Sequence, residues 1–268
     1  MPDFAEGDAM GLTSDALKRI DSQAAAPVIL PLSSVEAWPA GGEHADFARP
    51  ALDASRSAAR FSFPALPTER PASIFASPQV IWPSDVDADR SLQAAEMANG
   101  LLRRWPLDRT TILAITSPGP GDGKTRLLTA LAPQLARRVA GSVVVVDANF
   151  RHPGLTSLAI VSSDVAGSSG VIYPTNRRNL SFLPAPGSRR DFGASLDRFW
   201  FEELREAGSL VLVELPSLAY AETVGLSRHC DGVYLAVRLG HTSRRALSRS
   251  AKILRRAGSR LSGCLVVG

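Results

Sequence analysis

The stretch TILAITSPGPGDGKTRLLTALA, residues 111–132, decides the fold of this chain. An apolar run of strand length, Thr111–Thr116, leads into a loop of prolines and glycines, and an apolar helical pattern begins at Lys124. A helix that starts directly after such a loop presents unpaired backbone N–H groups and the positive end of its dipole to an anion. The pattern therefore predicts a phosphate-binding loop between a buried strand and a helix.

The loop carries the chemical groups that bind a nucleotide phosphate. Its glycines let the backbone curl around phosphate oxygens, the compact ammonium of Lys124 reaches the terminal phosphates, and the hydroxyl of Thr125 ligates Mg²⁺. The usual pattern has glycine at position 118, where this chain has Pro118, and an extra glycine follows at 119. The residues predicted to bind the nucleotide are Gly119, Gly121, Asp122, Gly123, Lys124, Thr125 and Arg126.

Two further apolar runs end in a carboxylate. VVVVDANFRHP, residues 143–153, has Asp147 at the end of its run, and LVLVELPS, residues 210–217, has Glu214. The carboxyl ends of parallel strands form the edge where open α/β sheets bind ligands. We therefore predict that both carboxylates hold Mg²⁺, with Thr125, and serve catalysis together with Lys124. The simpler alternative for each is a cap or a strand-end carboxylate without a chemical role.

The rest of the chain alternates between strand-length apolar runs and helical patterns. This alternation predicts an α/β fold in which helices cover both faces of a mostly parallel sheet. A further amphipathic helix follows Asp85. The remaining predicted strands are Ser142–Asp147, Leu180–Leu183, Leu210–Glu214, Gly232–Val237 and Gly263–Val267, and the helices are Lys124–Val139, Ala194–Ala207, Glu222–His229 and Ser243–Ala257.

The charge distribution divides the 268 residues into two parts. Residues 1–90 have 7 Lys/Arg, 13 Asp/Glu and 10 of the 19 prolines, whereas residues 91–268 have 23 Lys/Arg and 13 Asp/Glu. Frequent proline interrupts helices, and no hydrophobic period is sustained before residue 85. We therefore predict a proline-rich, acidic, disordered lead over 1–84 and a nucleotide-binding domain over 85–268. A tether that docks on a partner is the alternative for the lead.

Several classes of protein are excluded by composition. No run approaches the roughly 20 apolar residues of a membrane span, and the N-terminus lacks the basic and apolar regions of a secretory signal. Cys230 and Cys264 are too few for a disulfide scaffold and fit buried side chains. We therefore predict a cytoplasmic protein.

The order of these blocks resembles the catalytic domain of bacterial tyrosine kinases. These are P-loop NTPase-like proteins of exopolysaccharide synthesis, related to septum-positioning and partition ATPases, and the similarity extends over roughly residues 85–268. It implies ATP and Mg²⁺ as ligands and phosphoryl transfer to tyrosine, or ATP hydrolysis, as the activity. It also implies a membrane-spanning polysaccharide chain-length or export protein as partner, a homo-oligomer, and a location at the inner face of the cell membrane through that partner.

Individual residues around the two carboxylates match positions of the family's motifs. Asp147 matches the first carboxylate of the family's D-x-D-x-R motif and Arg151 its arginine, but Asn149 stands where the second carboxylate is expected. Glu214 occupies the Asp position of D-x-P-P, and Ser217 replaces the last proline. A neutral amide cannot accept a proton at neutral pH, so this departure predicts weak or lost kinase activity.

Other family features are missing. The ring-assembly motif of the first helix, a glutamate and two arginines, reads Gln93, Glu96 and Asn99 here. Val267 stands where related ATPases have an asparagine that contacts the base. A tyrosine-rich tail is absent, and the three tyrosines are Tyr173, Tyr220 and Tyr234.

Two alternatives remain beside an ATP-binding kinase relative. The first is a positioning or partition ATPase that binds membrane or DNA through the basic helix of residues 243–258, although no recognition pattern gives a strong nucleic-acid signal. Such ATPases usually carry a second lysine early in the loop, where this chain has Gly119. The second is a regulatory scaffold that depends on nucleotide binding but does not hydrolyse ATP.

Overall fold

The structure is a computed structural model that describes residues 29–30, 80–83, 88–105, 107–161, 171–185 and 198–268. Most of the predicted lead, residues 1–84, lies outside these described residues. Within them, no helix combines the length and the apolar character that crossing a membrane requires.

The central feature is a mixed sheet of eight strands, counted over the described residues, in the order β1-β10-β9-β3-β8-β4-β7-β6. Strands β10, β9, β3, β8, β4 and β7 run parallel to one another, and the edge strands β1 and β6 pair antiparallel with β10 and β7. The strands are β1 Ile29–Leu30, β2 Val80–Ile81, β3 Thr111–Thr116, β4 Val143–Asp147, β5 Ile160–Val161, β6 Tyr173–Pro174, β7 Leu180–Leu183, β8 Leu210–Glu214, β9 Gly232–Arg238 and β10 Leu261–Val267.

Helices cover both faces of this sheet. Helices α1 and α2 pack with one set of strand side chains, and α4, α5 and α6 pack with the opposite set. Every residue of β3, β4 and β8 is buried, as expected for parallel strands covered on both sides. The predicted α/β fold is confirmed. The helices are α1 Ala88–Arg104, α2 Lys124–Ala136, α3 Gly154–Leu158, α4 Arg198–Ala207, α5 Glu222–Ser227 and α6 Arg244–Arg256.

The long elements lie where the sequence predicts them, and their ends differ by a few residues. Helix α2 ends at Ala136 rather than at residue 139, and β10 begins at Leu261 rather than at residue 263. Ser243 is the N-cap of α6, since its hydroxyl accepts the backbone N–H of Ala246. The short elements β1, β2, β5, β6 and α3 were not predicted, because two to five residues are too few to show a period.

Residues 80–83 pack with the domain, although the predicted boundary lies after residue 84. Val80 and Trp82 are fully buried, and the Trp82 ring meets Phe182 edge to face at 5.6 Å. The indole Nε1 of Trp82 donates to the backbone oxygen of Thr129 in α2 at 3.1 Å. Pro133 lies four residues after Thr129 and has no N–H to donate to that carbonyl. Trp82 therefore completes the hydrogen bonding of the helix that follows the phosphate loop.

We expect the effects of Trp82 and Pro133 on stability to be coupled. Trp82→Phe should lower the free energy of unfolding by about 1–3 kcal/mol, because it leaves the Thr129 carbonyl unsatisfied. In a Pro133→Ala background the restored N–H satisfies that carbonyl, so the same change should cost at least about 0.5 kcal/mol less. Urea unfolding of the four proteins measures this difference, and strictly additive effects would contradict the hydrogen-bond assignment. Ile81→Ser, at an exposed neighbour, serves as control.

Candidate nucleotide site

A cleft of about 720 Å³ opens at the carboxyl edge of the parallel strands. The phosphate loop forms its base, and the segments that follow β4 and β8 form one side. The N-terminal half of α1 and the ends of β9 and β10 form the other side. The lining residues include Pro120, Gly121, Gly123, Lys124, Thr125, Arg126, Asn149, His152, Ser217, Tyr220 and Val267.

The backbone of the loop requires glycine at two of the predicted positions. Gly121 and Gly123 have φ values of 83° and 85°, in the left-handed region that favours glycine. A Cβ at Gly123 would also lie 2.9 Å from a methyl carbon of Val267. These two glycines let the chain turn into α2, so that the unpaired N–H groups of the first helical turn face the cleft.

Asp122 braces the loop rather than lining the cleft. Its buried carboxylate accepts the backbone N–H of Gly119 at 2.8 Å and the hydroxyl of Thr242 at 2.6 Å. The Nδ1 atom of His241 lies 3.1 Å from the same carboxylate. Gly119 and Asp122 are not among the residues that line the cleft. In the structure these two predicted ligand residues therefore shape the loop, and Asp122 fixes it to the segment after β9.

Lys124 lies almost fully buried at the start of α2. Its ammonium donates to the hydroxyl of Ser117 at 2.9 Å, and that hydroxyl donates to the carbonyl of Gly119 at 2.6 Å. Burial lowers the pKa of Lys124, and the charge of Glu214 is the largest effect opposing the change. The lysine is thus held within the loop by a neutral partner that a phosphate oxygen can replace.

Glu214 is a fully buried carboxylate with one unsatisfied oxygen. Its Oε1 accepts the hydroxyl of Thr125 at 2.7 Å, whereas Oε2 has no hydrogen-bond partner in the part of the chain that the structure describes. Burial, and then the charge of Asp147, raise the pKa of Glu214 to about 8, against the effects of Thr125 and Lys124. A buried oxygen without a partner is costly, and hydroxyl and carboxylate oxygens are the ligands that Mg²⁺ prefers. Thr125 and Glu214 therefore fit Mg²⁺.

Asp147 lies beside Glu214 in the register of β4 and β8, as predicted from the two strand ends. Its surroundings differ, because one oxygen accepts both the N–H and the hydroxyl of Thr156 at 2.8 Å and the other accepts the N–H of Asn149 at 3.0 Å. Burial raises the pKa of Asp147, and these hydrogen bonds oppose the rise. Asp147 therefore uses both of its oxygens to hold the segment after β4, whereas one oxygen of Glu214 remains available for a ligand.

The structure also brings together four side chains of the segments after β4 and β8. Arg151 pairs with Glu222, and its guanidinium lies 4.7 Å from the centre of the Tyr220 ring. The Nε2 atom of His152 lies 3.1 Å from the hydroxyl of Tyr220. The motif in the sequence singled out Arg151 alone, because no local spacing connects residues that are about 70 positions apart. We call Arg151, His152, Tyr220 and Glu222 the interloop cluster.

The opposite side of the cleft combines apolar side chains with three arginines. Ala94 and Met97 of α1 and Leu127 of α2 are buried there beside Val267 of β10. Arg126 is exposed at the rim, where the sequence predicted a ligand contact.

Comparison with known proteins identifies relatives of low identity. No protein-family model matches the chain. The tyrosine-protein kinase CpsD of Streptococcus agalactiae is 23% identical over 171 residues, which cover 58% of this chain and 73% of that protein. The kinase domain of the Escherichia coli tyrosine kinase ETK superposes with a TM-score of 0.54 at 21% identity, covering 66% of this chain and 75% of that chain. The VpsO kinase domain gives a TM-score of 0.55 at 22% identity, covering 66% and 95%.

These structural likenesses show the shared P-loop NTPase-like fold. Together with the curated relatives, they confirm the resemblance that the motifs predict: the chain is similar to the bacterial tyrosine kinases, as a divergent relative.

Replacing Glu214 by glutamine should change stability and metal binding in opposite directions. Folding raises the pKa of this carboxyl from 4.5 to about 8, so the wild type loses stability as the pH rises through this range and Glu214→Gln does not. At pH 9 we expect the ligand-free variant to be more stable than the wild type by about 1–4 kcal/mol, because it buries no charge. Thermal unfolding with and without Mg²⁺ and ATP measures both properties.

The same variant should bind ATP with Mg²⁺ more weakly, since an amide oxygen is a poorer ligand than a carboxylate. A variant that is less stable than the wild type at pH 9 would contradict the assignment of Glu214 as a strained, buried charge.

Proposed function

We propose that this divergent relative of the bacterial tyrosine kinases binds ATP with Mg²⁺ and acts in exopolysaccharide synthesis or export, or regulates it. The observation that carries the proposal is the arrangement of Lys124, Thr125 and Glu214 at the phosphate loop. A buried cation faces the cleft with a replaceable partner, and a buried carboxyl group beside it has an oxygen without a partner among the described residues. A polyanion with a bound divalent cation satisfies both groups, and a nucleoside triphosphate with Mg²⁺ is such a ligand.

Each loop residue has a separate part in binding. Lys124 would exchange Ser117 for the terminal phosphates, and the N–H groups of the first turn of α2 would donate to phosphate oxygens. Thr125 and Glu214 would hold Mg²⁺, which neutralises negative charge on the phosphates when it is bound. Asp122 would keep the loop in shape throughout, because its partners lie outside the cleft.

The catalytic activity that we propose is weak phosphoryl transfer to tyrosine, or slow ATP hydrolysis. Asn149 is buried at the position of the missing carboxylate, so one negative charge of the family's site is absent. Asp147 uses both oxygens to hold Thr156 and Asn149. Recruiting Asp147 to the metal or to an attacking group would require breaking these bonds, which adds to the barrier.

The partner that we propose is a membrane-spanning polysaccharide chain-length or export protein. The support is the similarity to the tyrosine kinases, and the place of action would be the cytoplasmic face of the membrane. Further copies of the same chain are the second proposed partner, although residues Gln93, Glu96 and Asn99 do not supply the family's assembly motif.

A second candidate function is a scaffold that binds ATP and a partner without hydrolysis. The engagement of Asp147 by Thr156 favours it, since the site then retains one available carboxylate for Mg²⁺ and none for an attacking group. Such a protein would transmit ATP binding to its partner through the conformation of the segments after β4 and β8. Turnover measured beside affinity distinguishes it from a weak kinase.

Lys124→Ala tests the proposed function most simply. We expect it to weaken ATP binding in the presence of Mg²⁺ by about 100-fold, or about 2.7 kcal/mol, because the phosphates lose their buried cation. Isothermal titration calorimetry measures the change, with Lys252→Ala on the exposed face of α6 as the matched control. Binding that is equal in Lys124→Ala and wild type, or absent in the wild type, would reject the proposal.

Asn149→Asp tests whether the missing carboxylate limits turnover. If it does, phosphate release or phosphoryl transfer should rise about 100-fold, the lower range for a positioned acid–base group. Asn149→Ala, which removes the amide without adding charge, is the control. An Asn149→Asp protein that binds ATP but turns over no faster than Asn149→Ala would show that the defect lies elsewhere, with Asp147 as the next residue to consider.

A further inference from the structure

Ser217 carries a buried hydroxyl that has no hydrogen-bond partner among the described residues. The residue is 2% exposed and lines the same cleft as Lys124 and Thr125. A buried hydroxyl without a partner is costly, because it has given up its hydrogen bonds to water and made none in return. Such a group at the wall of a cleft indicates a partner that binds in the cleft.

The turn that carries this hydroxyl is fixed to the end of β3 and to the start of the phosphate loop. The carbonyl of Pro216 accepts the hydroxyl of Thr116 at 2.6 Å and that of Thr223 at 3.2 Å. The backbone N–H of Leu218 donates to the carbonyl of Ser117 at 2.8 Å. The backbone of the turn is therefore held in place before any ligand binds.

The same contacts place Ser217 beside the cation that would hold the terminal phosphates. Ser117, whose carbonyl accepts the N–H of Leu218, also accepts a hydrogen bond from the ammonium of Lys124 at 2.9 Å. Glu214, which would hold Mg²⁺, lies three residues before Ser217. The N–H groups of a phosphate loop enclose the α- and β-phosphates, and its lysine reaches the β- and γ-phosphates. A donor on the wall beside that lysine would therefore meet the γ-phosphate, which ADP lacks.

We propose that Ser217 raises the affinity of this chain for ATP relative to ADP, by donating its hydroxyl hydrogen to an oxygen of the γ-phosphate. A serine side chain has one dihedral angle with three staggered positions, so the hydroxyl can turn toward a ligand in the cleft. The ionised phosphate oxygens accept hydrogen bonds, and a bond from a hydroxyl to a charged acceptor is stronger than one to a neutral acceptor.

The proposed contact depends on a residue in which this chain departs from the motif that it resembles. Ser217 replaces the last proline of D-x-P-P, and proline has no side-chain donor. The proposal rests on the proposed function, because it requires ATP and Mg²⁺ at the phosphate loop.

Calorimetric titration of the full chain with ATP and with ADP, each with Mg²⁺, tests this proposal. Ser217→Ala should weaken ATP binding at least about 10-fold and ADP binding less than about 2-fold, because only ATP loses a hydrogen bond to a charged group. Ser217→Cys, which is close to serine in size but donates weakly, should weaken ATP binding selectively as well. Ser227→Ala is the matched control, since Ser227 is also buried but does not line the cleft, and should leave both affinities unchanged.

Thermal unfolding without ligand distinguishes a hydroxyl without a partner from one that stabilises the fold. Ser217→Ala should melt at a temperature no lower than the wild type, because it removes a buried polar atom that has no partner. Ser227→Ala should melt at a lower temperature, since the hydroxyl of Ser227 donates to the carbonyl of Val224 at 2.8 Å and lies 2.6 Å from the hydroxyl of Ser259.

Each contrary result overturns a stated part of the proposal. ATP and ADP affinities that fall equally in Ser217→Ala, or that both stay unchanged, overturn the contact with the γ-phosphate and leave the proposed function intact. A Ser217→Cys protein with the wild-type ratio of the two affinities overturns hydrogen-bond donation. A ligand-free Ser217→Ala protein that melts as low as Ser227→Ala overturns the assignment of a hydroxyl that awaits a ligand. Wild-type protein that binds no ATP overturns the proposed function and this proposal together.

Discussion

The ammonium of Lys124 and the carboxylates of Asp147 and Glu214 are buried together at one edge of the sheet, and the rest of the site depends on this group of charges. Burying ions is costly unless each is paired and hydrogen-bonded. Asp147 is satisfied by its own segment, but among the described residues Glu214 retains an oxygen without a partner, and Lys124 donates to the neutral Ser117. Burial raises the pKa of Glu214 to about 8, so below that pH a proton relieves part of this cost, and a phosphate with a divalent cation would stabilise the charged forms of both groups.

The fold supports this arrangement from several directions. Adjacent parallel strands bring Asp147 and Glu214 side by side, and the turn at Gly121 and Gly123 sets Lys124 in front of them. The brace of Asp122 and the bond from Trp82 to α2 fix the loop and the helix behind it, so the charges cannot separate to reach water. Rigid support of this kind is what makes a buried charged site specific for its ligand. Two members of the interloop cluster, His152 and Tyr220, line the cleft from the segments after β4 and β8.

Sequence alone predicted the parts of this account that follow from local pattern. The strand, glycine loop and helix around Lys124 have a fixed spacing, and two apolar runs that end in a carboxylate place Asp147 and Glu214 at the same edge of the sheet. That their strands are neighbours is a fact of the tertiary structure. The contacts of Ser117 with Lys124, of Thr156 with Asp147 and of Trp82 with the carbonyl freed by Pro133 could not be predicted in this way. They join side chains whose pairing depends on tertiary packing, which leaves no period in the sequence. The same holds for the pairing of His152 with Tyr220.

Hydrogen exchange of the loop amides tests most directly whether these buried charges form a nucleotide site. With saturating ATP and Mg²⁺, the account predicts that exchange of the amides in residues 121–126 slows at least about 10-fold, because phosphate oxygens accept N–H groups there, while amides in α6 exchange as before. Phosphate-loop amides that exchange at the same rate with and without millimolar ATP and Mg²⁺ would contradict it, since the buried charges would then serve only the fold.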